Sequence, residues 1–168
     1  MKGKVTTLAA VAATFAIALV STACGGTAYS SGGYGAPAAA SATAPAAIGV
    51  GQTSFGRVIV DGKGRTLYLF EKDTSRRSAC SGQCAQYWPP LLTRGAPVAR
   101  IGAKKSLLGT IRRADGSRQV TYAGHPLYAY IGDSKPGQTN GEGSEEFGAG
   151  WDALSPAGKK IEREGQDG

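Results

Sequence analysis

The chain is poor in the residues on which most enzyme chemistry depends. It has one histidine, His125, and three cysteines among 168 residues. His125 lies between Gly124 and Pro126 and offers a single proton carrier with no nucleophile beside it. There is no Gly-x-Ser-x-Gly elbow, no His-Glu-x-x-His pair, no phosphate-binding glycine loop and no dinucleotide fingerprint. The expectation is a protein that is not an enzyme and carries no cofactor. Helical periodicity is absent over any ten residues outside the N-terminal apolar run, which argues against a helical domain. The basic residues stand singly or in pairs, such as Arg76-Arg77 and Lys104-Lys105, with no aromatic-interleaved basic face, so no nucleic-acid partner is expected.

What is present begins at the N-terminus. Lys2 and Lys4 precede an uncharged, mostly apolar run from Val5 to Val20. That run is 16 residues long, short of the roughly 20 needed to cross a bilayer, so it reads as a secretion signal. It ends in Ser21-Thr22-Ala23-Cys24-Gly25, which resembles the bacterial lipobox, with Ser21 where leucine is usual. The resemblance implies cleavage after Ala23 and lipidation of Cys24; ordinary signal cleavage near Ala23 is the alternative. Two acyl chains contribute about 0.8 kcal/mol per buried methylene, enough to hold a protein at a membrane. Lipidating Cys24 also leaves an even count, with Cys80 and Cys84 as a pair.

Residues 24–47 are almost wholly Gly, Ala, Ser, Thr and Pro with two tyrosines, lacking charge and any large aliphatic side chain. Such a segment buries too little surface to offset its ordering entropy, and it is expected to be a disordered tether. A flexible chain of that length spans about 25 to 30 Å. The divisions are therefore a signal peptide at 1–23, a lipidated tether at 24–47 and one folded domain at 48–168. Without Lys2 and Lys4 the charge is 17 − 12 = +5, which suits attraction to anionic lipid headgroups or to an envelope polymer.

Within the domain the chain repeats itself. "GRTLYLFEKD" from Gly64 to Asp73 returns as "GHPLYAYIGD" from Gly124 to Asp133. At a constant offset of 60, Gly56 matches Gly116, Val60 matches Val120, Leu67 matches Leu127 and Tyr68 matches Tyr128. Trp88-Pro-Pro-Leu91 then corresponds to Trp151-Asp-Ala-Leu154 after a three-residue length difference. Each copy reads as a hairpin: strands near Val58–Val60 and Arg118–Tyr122, a glycine-containing turn, and second strands at Thr66–Phe70 and Pro126–Tyr130. A further hairpin is signalled by Thr110–Arg113 followed by Arg118–Tyr122. In the second strand Tyr68 and Phe70 share one face, while Leu67 and Leu69 share the other. The fold class is all-β: a small antiparallel domain of two duplicated hairpin-containing repeats, about 55–100 and about 110–158.

On these residues the chain resembles the bacterial secreted-repeat lipoproteins that carry a Tyr-x-aromatic-x-x-Asp signature. Both copies are complete: Tyr68, Phe70, Asp73 and Tyr128, Tyr130, Asp133. The resemblance implies an extracytoplasmic address and a small repeated domain, and no chemistry. From the residues themselves, Tyr68 and Tyr128 are expected in the core, with Asp73 and Asp133 capping the turns after each strand. The competing reading makes them a site between the halves for a planar or quinone-like ligand. Trp88 and Trp151 are expected to plug the core.

Cys80-Ser-Gly-Gln-Cys84 has a three-residue gap, which is neither a thioredoxin motif nor a haem-attachment motif. A local disulfide is the default in an exported protein. The alternative is a copper or redox site using Cys80, Cys84 and His125, since soft thiolates suit Cu(I). The stretch from Lys135 to Gly150, with Glu142, Glu145 and Glu146, is expected to be a solvated loop lacking calcium-loop spacing. The function expected is a membrane-anchored, extracytoplasmic binding or envelope-associated module, its partner a cell-envelope polymer or protein.

Overall fold

The computed structural model describes residue 3 and residues 44–161. The signal peptide, Cys24 and the tether up to residue 43 lie outside the described residues apart from residue 3, so the expectations for them are not addressed by the fold. Chain order runs β1 (Ala47–Thr53), β2 (Gly56–Asp61), β3 (Tyr68–Phe70), a short helix α1 (Gln83–Tyr87), β4 (Val98–Ala99), β5 (Leu108–Arg112), β6 (Arg118–Tyr122), β7 (His125–Pro126) and β8 (Trp151–Ala153). The protein is mostly β, as its alternating pattern indicated. One feature departs from a purely antiparallel plan: β4 runs parallel to the start of β1 over Ala47↔Val98 and Ile48↔Ala99.

Each copy opens with an antiparallel hairpin. β1 pairs β2 from Ile48↔Asp61 to Thr53↔Gly56, and β5 pairs β6 from Leu108↔Tyr122 to Arg112↔Arg118. The first copy therefore starts one strand earlier than position 55, because β1 is the counterpart of β5. The copies then meet at Tyr68 and Tyr128, which exchange both backbone hydrogen bonds at 2.9 and 3.0 Å about an approximate two-fold axis.

The constant offset of 60 fails inside β2 and β6. Leu67 N–H donates to Ile59 O, whereas Leu127 N–H donates to Val120 O, both at 3.0 Å, so Ile59 and not Val60 is the counterpart of Val120. Two loop lengths explain this. The turn after β6 is the two-residue Ala123-Gly124, with φ of 51° and 86°, the doubly left-handed geometry that suits a tight hairpin. After β2, Asp61 instead closes a longer turn through Arg65, its carboxylate accepting the N–H groups of Lys63 and Arg65 at 2.8 and 3.0 Å. The β1–β2 turn is one residue shorter than the β5–β6 turn, so the two differences cancel beyond the hairpin. Gly56 thus stands opposite Ser117 in the comparison of copies, not Gly116.

The Trp-x-x-Leu segments are exchanged between the copies. Leu154 O accepts from Ile59 N–H at 2.8 Å, and Leu154 N–H donates to Leu67 O at 3.4 Å, seating the end of the second copy in the hairpin of the first. Reciprocally, Leu91 O accepts from Val120 N–H at 2.9 Å and Leu91 N–H donates to Leu127 O at 2.8 Å. The faces of β3 separate as alternation requires. Leu67 and Leu69 join Ile48, Ile59, Val120, Tyr122, Leu127 and Leu154 in one apolar cluster. Tyr68 and Phe70 join Val58, Val60, Cys80, Cys84, Trp88, Tyr128, Trp151 and Ala153 in the other. Neither copy closes a core alone.

Candidate functional site

The signature residues converge where the copies meet, and they do so across the duplication. Tyr68 of the first copy donates its hydroxyl to Asp133 Oδ2 of the second at 2.5 Å. Tyr128 of the second donates to Asp73 Oδ2 of the first at 2.6 Å. Each aspartate also ties down its own loop, Asp73 accepting from Ala79 N–H at 2.7 Å and Asp133 from Asn140 N–H at 2.9 Å. Turn capping is thus half of their role; the other half is to receive the opposite copy's tyrosine. A buried phenol needs a partner, and a charged acceptor makes the stronger bond.

Electrostatics agree with neutral phenols facing carboxylates. Burial, then the hydrogen bond and charge of Asp133, push the Tyr68 phenol far above its ordinary range. Burial, then the charge and hydrogen bond of Asp73, do the same to Tyr128. Burial also holds the Asp73 carboxyl above the usual carboxylate range, opposed by hydrogen bonds from Tyr128 and Ala79 and by the charges of Arg113 and His125.

Between the tyrosines lies a stack of rings. Trp88 and Trp151 are parallel with centroids 4.0 Å apart, Phe70 stacks on Trp151 at 4.1 Å, and Tyr130 covers Trp88 at 4.4 Å. Tyr68 meets Trp88 edge-on at 5.3 Å, and Tyr128 meets Trp151 likewise at 5.2 Å. Both tyrosines and both tryptophans have no exposed surface. The aromatic residue of the signature therefore completes a stack with the other copy's tryptophan, and the rings fill the space that a planar ligand between the halves would need.

The two connecting loops close over this stack by different means. In the first copy Cys80 and Cys84 form a disulfide, with Cα atoms 5.3 Å apart, and both are buried. Arg113 supports that loop from below. Its guanidinium donates to Cys80 O and Ser78 Oγ at 2.6 Å and to Gln119 Oε1 at 2.7 Å. In the second copy the stretch expected to be solvated is partly built into the core. Glu142 is buried and accepts from Ala153 N–H at 2.7 Å, while Glu146 takes both indole N–H groups, through Oε2 for Trp88 and its carbonyl for Trp151, each at 2.9 Å. Arg113 and Gln119 gave no signal in the sequence, because nothing local marks a buried arginine or its acceptor.

His125 is exposed at the β6–β7 turn. The disulfide uses both thiolates that the copper alternative requires, and among the described residues no group of three or more His, Cys, Asp or Glu is placed to hold a metal. His125 instead shares a groove of about 530 Å³ with Leu69, Phe70, Glu71, Asp73 and Lys160. Glu71 is paired with Lys160 at 2.9 Å, and that hydrogen bond holds its carboxyl below the usual range. The groove thus combines apolar side chains, Leu69 and Phe70, with the ionisable Glu71, Asp73, His125 and Lys160.

No curated protein and no solved structure matches the chain. A family model matches it twice, over residues 49–92 and 109–155, and these limits agree with the strand pattern of the two copies. The chain belongs to the lipoprotein family described as a secreted repeat of unknown function.

Proposed function

We propose that the protein is a membrane-anchored extracytoplasmic lipoprotein whose duplicated domain acts as a non-catalytic binding or envelope-associated module. The observation that carries this reading is the reciprocity of the signature. Tyr68 with Asp133 and Tyr128 with Asp73 bond each other across the copies, so the repeated motif is accounted for by joining the two halves, which supports a binding role over a catalytic one. Lipidation of Cys24 then tethers that body by a chain whose mean reach is about 25 to 30 Å, keeping it close to the membrane.

Two measurements test the reading. Cys24→Ser is expected to move the protein from the membrane to the soluble fraction and to abolish incorporation of labelled fatty acid; membrane retention of that variant would contradict the anchor. For the non-catalytic claim, Tyr128→Phe, Asp73→Asn and His125→Gln are expected to complement a strain lacking the gene whenever they remain folded. Loss of complementation by a variant that melts like the wild type would overturn it.

A further inference from the structure

The charge of this protein is unevenly placed. From Thr74 to Ala114 the chain has no aspartate or glutamate and eight arginines or lysines. One part of that stretch also leaves apolar side chains in solvent. Val98 is 51% exposed and Ile101 is 97% exposed, the latter at the tip of the loop that follows β4. Arg94, Arg100, Lys104 and Lys105 flank them along the chain, all exposed. Arg57 reaches the same place from β2, because the ideal Cβ position at Gly102 lies 3.2 Å from its guanidinium. Single exposed apolar residues need no explanation, but a fully projected isoleucine flanked by cations, in a stretch that carries no acid, has the chemistry of a membrane-surface contact.

The fold also places this loop at the entry of the chain into the domain. Arg94 N–H donates to Ala44 O at 3.1 Å, Val98 N–H to Ala46 O at 2.8 Å and Arg100 N–H to Ile48 O at 2.7 Å. The edge carrying Val98 and Ile101 is thus the edge from which the chain leads back to Cys24, 44 − 24 = 20 residues away from Ala44. We propose that the loop from Val98 to Lys105 is a docking surface for anionic lipid, placing Ile101 at the acyl boundary while Arg94, Arg100, Lys104 and Lys105 face the headgroups. A lipid bilayer is the occupant the observations favour over a wall polyanion, since a soluble polyanion would use the cations and leave Ile101 in water. The proposal deepens the anchored-module reading: docking would hold the domain flat at the surface to which the lipid tethers it.

The test uses the mature chain, from residue 24 onward and carrying Cys24→Ser, so that neither the apolar signal run nor an acyl chain contributes and failure of docking is separable from failure of the anchor. Co-sedimentation with phosphatidylcholine vesicles containing phosphatidylglycerol is expected, together with its loss in phosphatidylcholine alone and its weakening as salt rises. Ile101→Ser is expected to lower vesicle affinity about tenfold, the loss of one apolar side chain's transfer, while leaving melting and binding to soluble polyphosphate unchanged. Lys104→Gln with Lys105→Gln is expected to weaken both. Absence of binding to the anionic vesicles at low salt would overturn the proposal. Equal vesicle binding by Ile101→Ser and the wild type would also overturn it, and would make the loop a polyanion contact.

Discussion

Removing the Cys80–Cys84 bond distinguishes a structural staple from a working dithiol, and the structure sets the size of the effect. The two cysteines are four positions apart, so the bond closes a very short loop. A loop of about five residues gives roughly 2 kcal/mol from restricting the unfolded chain. A second contribution comes from Arg113, whose buried guanidinium is held by Cys80 O and by Ser78 of the same loop. If the loop loosens, that charged group loses acceptors, at a further cost of about 1 to 2 kcal/mol. The total of about 3 to 4 kcal/mol corresponds to a fall in melting temperature of roughly 12 to 16 °C for a domain of this size. The assay is thermal unfolding of Cys80→Ser/Cys84→Ser by near-ultraviolet circular dichroism, which reports the packing of Trp88 and Trp151. Both proteins carry Cys24→Ser, and the parent's thiols are counted by alkylation without reductant. The expected result is no free thiol in the parent and a clear loss of stability in the double variant. Two reactive thiols in the native protein, with unchanged melting on their removal, would refute the reasoning and return the cysteines to the redox or copper reading.

Two other outcomes follow from the same geometry. Gly141→Ala places a Cβ 2.5 Å from the Trp88 ring and 3.1 Å from Tyr130, and Trp88 is itself packed against Trp151 and Tyr130; a loss of about 1 to 3 kcal/mol is expected in chemical denaturation, and a wild-type midpoint would show that the loop can yield. The Asp73 carboxyl is raised in the folded state, so the folded protein binds that proton more tightly than the unfolded chain does. Stability relative to Asp73→Asn should therefore rise as pH falls through the mildly acidic range just above the ordinary carboxylate value. Melting both proteins across that range checks the sign, and the opposite slope would mean that the hydrogen bonds from Tyr128 and Ala79 outweigh burial.

Much of the fold was legible because strand alternation is a local property. Tyr68 and Phe70 on one face and Leu67 and Leu69 on the other divide the two apolar clusters as their spacing requires. The duplication likewise identified Trp88 and Trp151 as equivalent, and they stack on each other. What a repeat cannot reveal is which copy supplies each partner, since a tyrosine and an aspartate occur in both. The pairing of Tyr68 with Asp133 and the seating of Leu154 beside Ile59 are long-range choices made by the two-fold arrangement. The β2 register was misread for a different reason: two compensating one-residue loop differences preserve the offset on either side of the strand that they shift. The glycine-rich stretch around Gly141 looked solvated because its composition is that of a loop, yet its small residues are what let the backbone lie against Trp88. Helix α1 is only five residues long, too short to leave a periodic signal.

The central claim, that the signature locks one copy to the other, is tested most directly by double-mutant cycles in chemical denaturation. Tyr68→Phe with Asp133→Asn, and Tyr128→Phe with Asp73→Asn, are each expected to show a coupling of about 1 kcal/mol or more. The within-copy pairs, Tyr68→Phe with Asp73→Asn and Tyr128→Phe with Asp133→Asn, share no hydrogen bond and should add to within about 0.5 kcal/mol. Coupling within the copies and additivity across them would contradict the account.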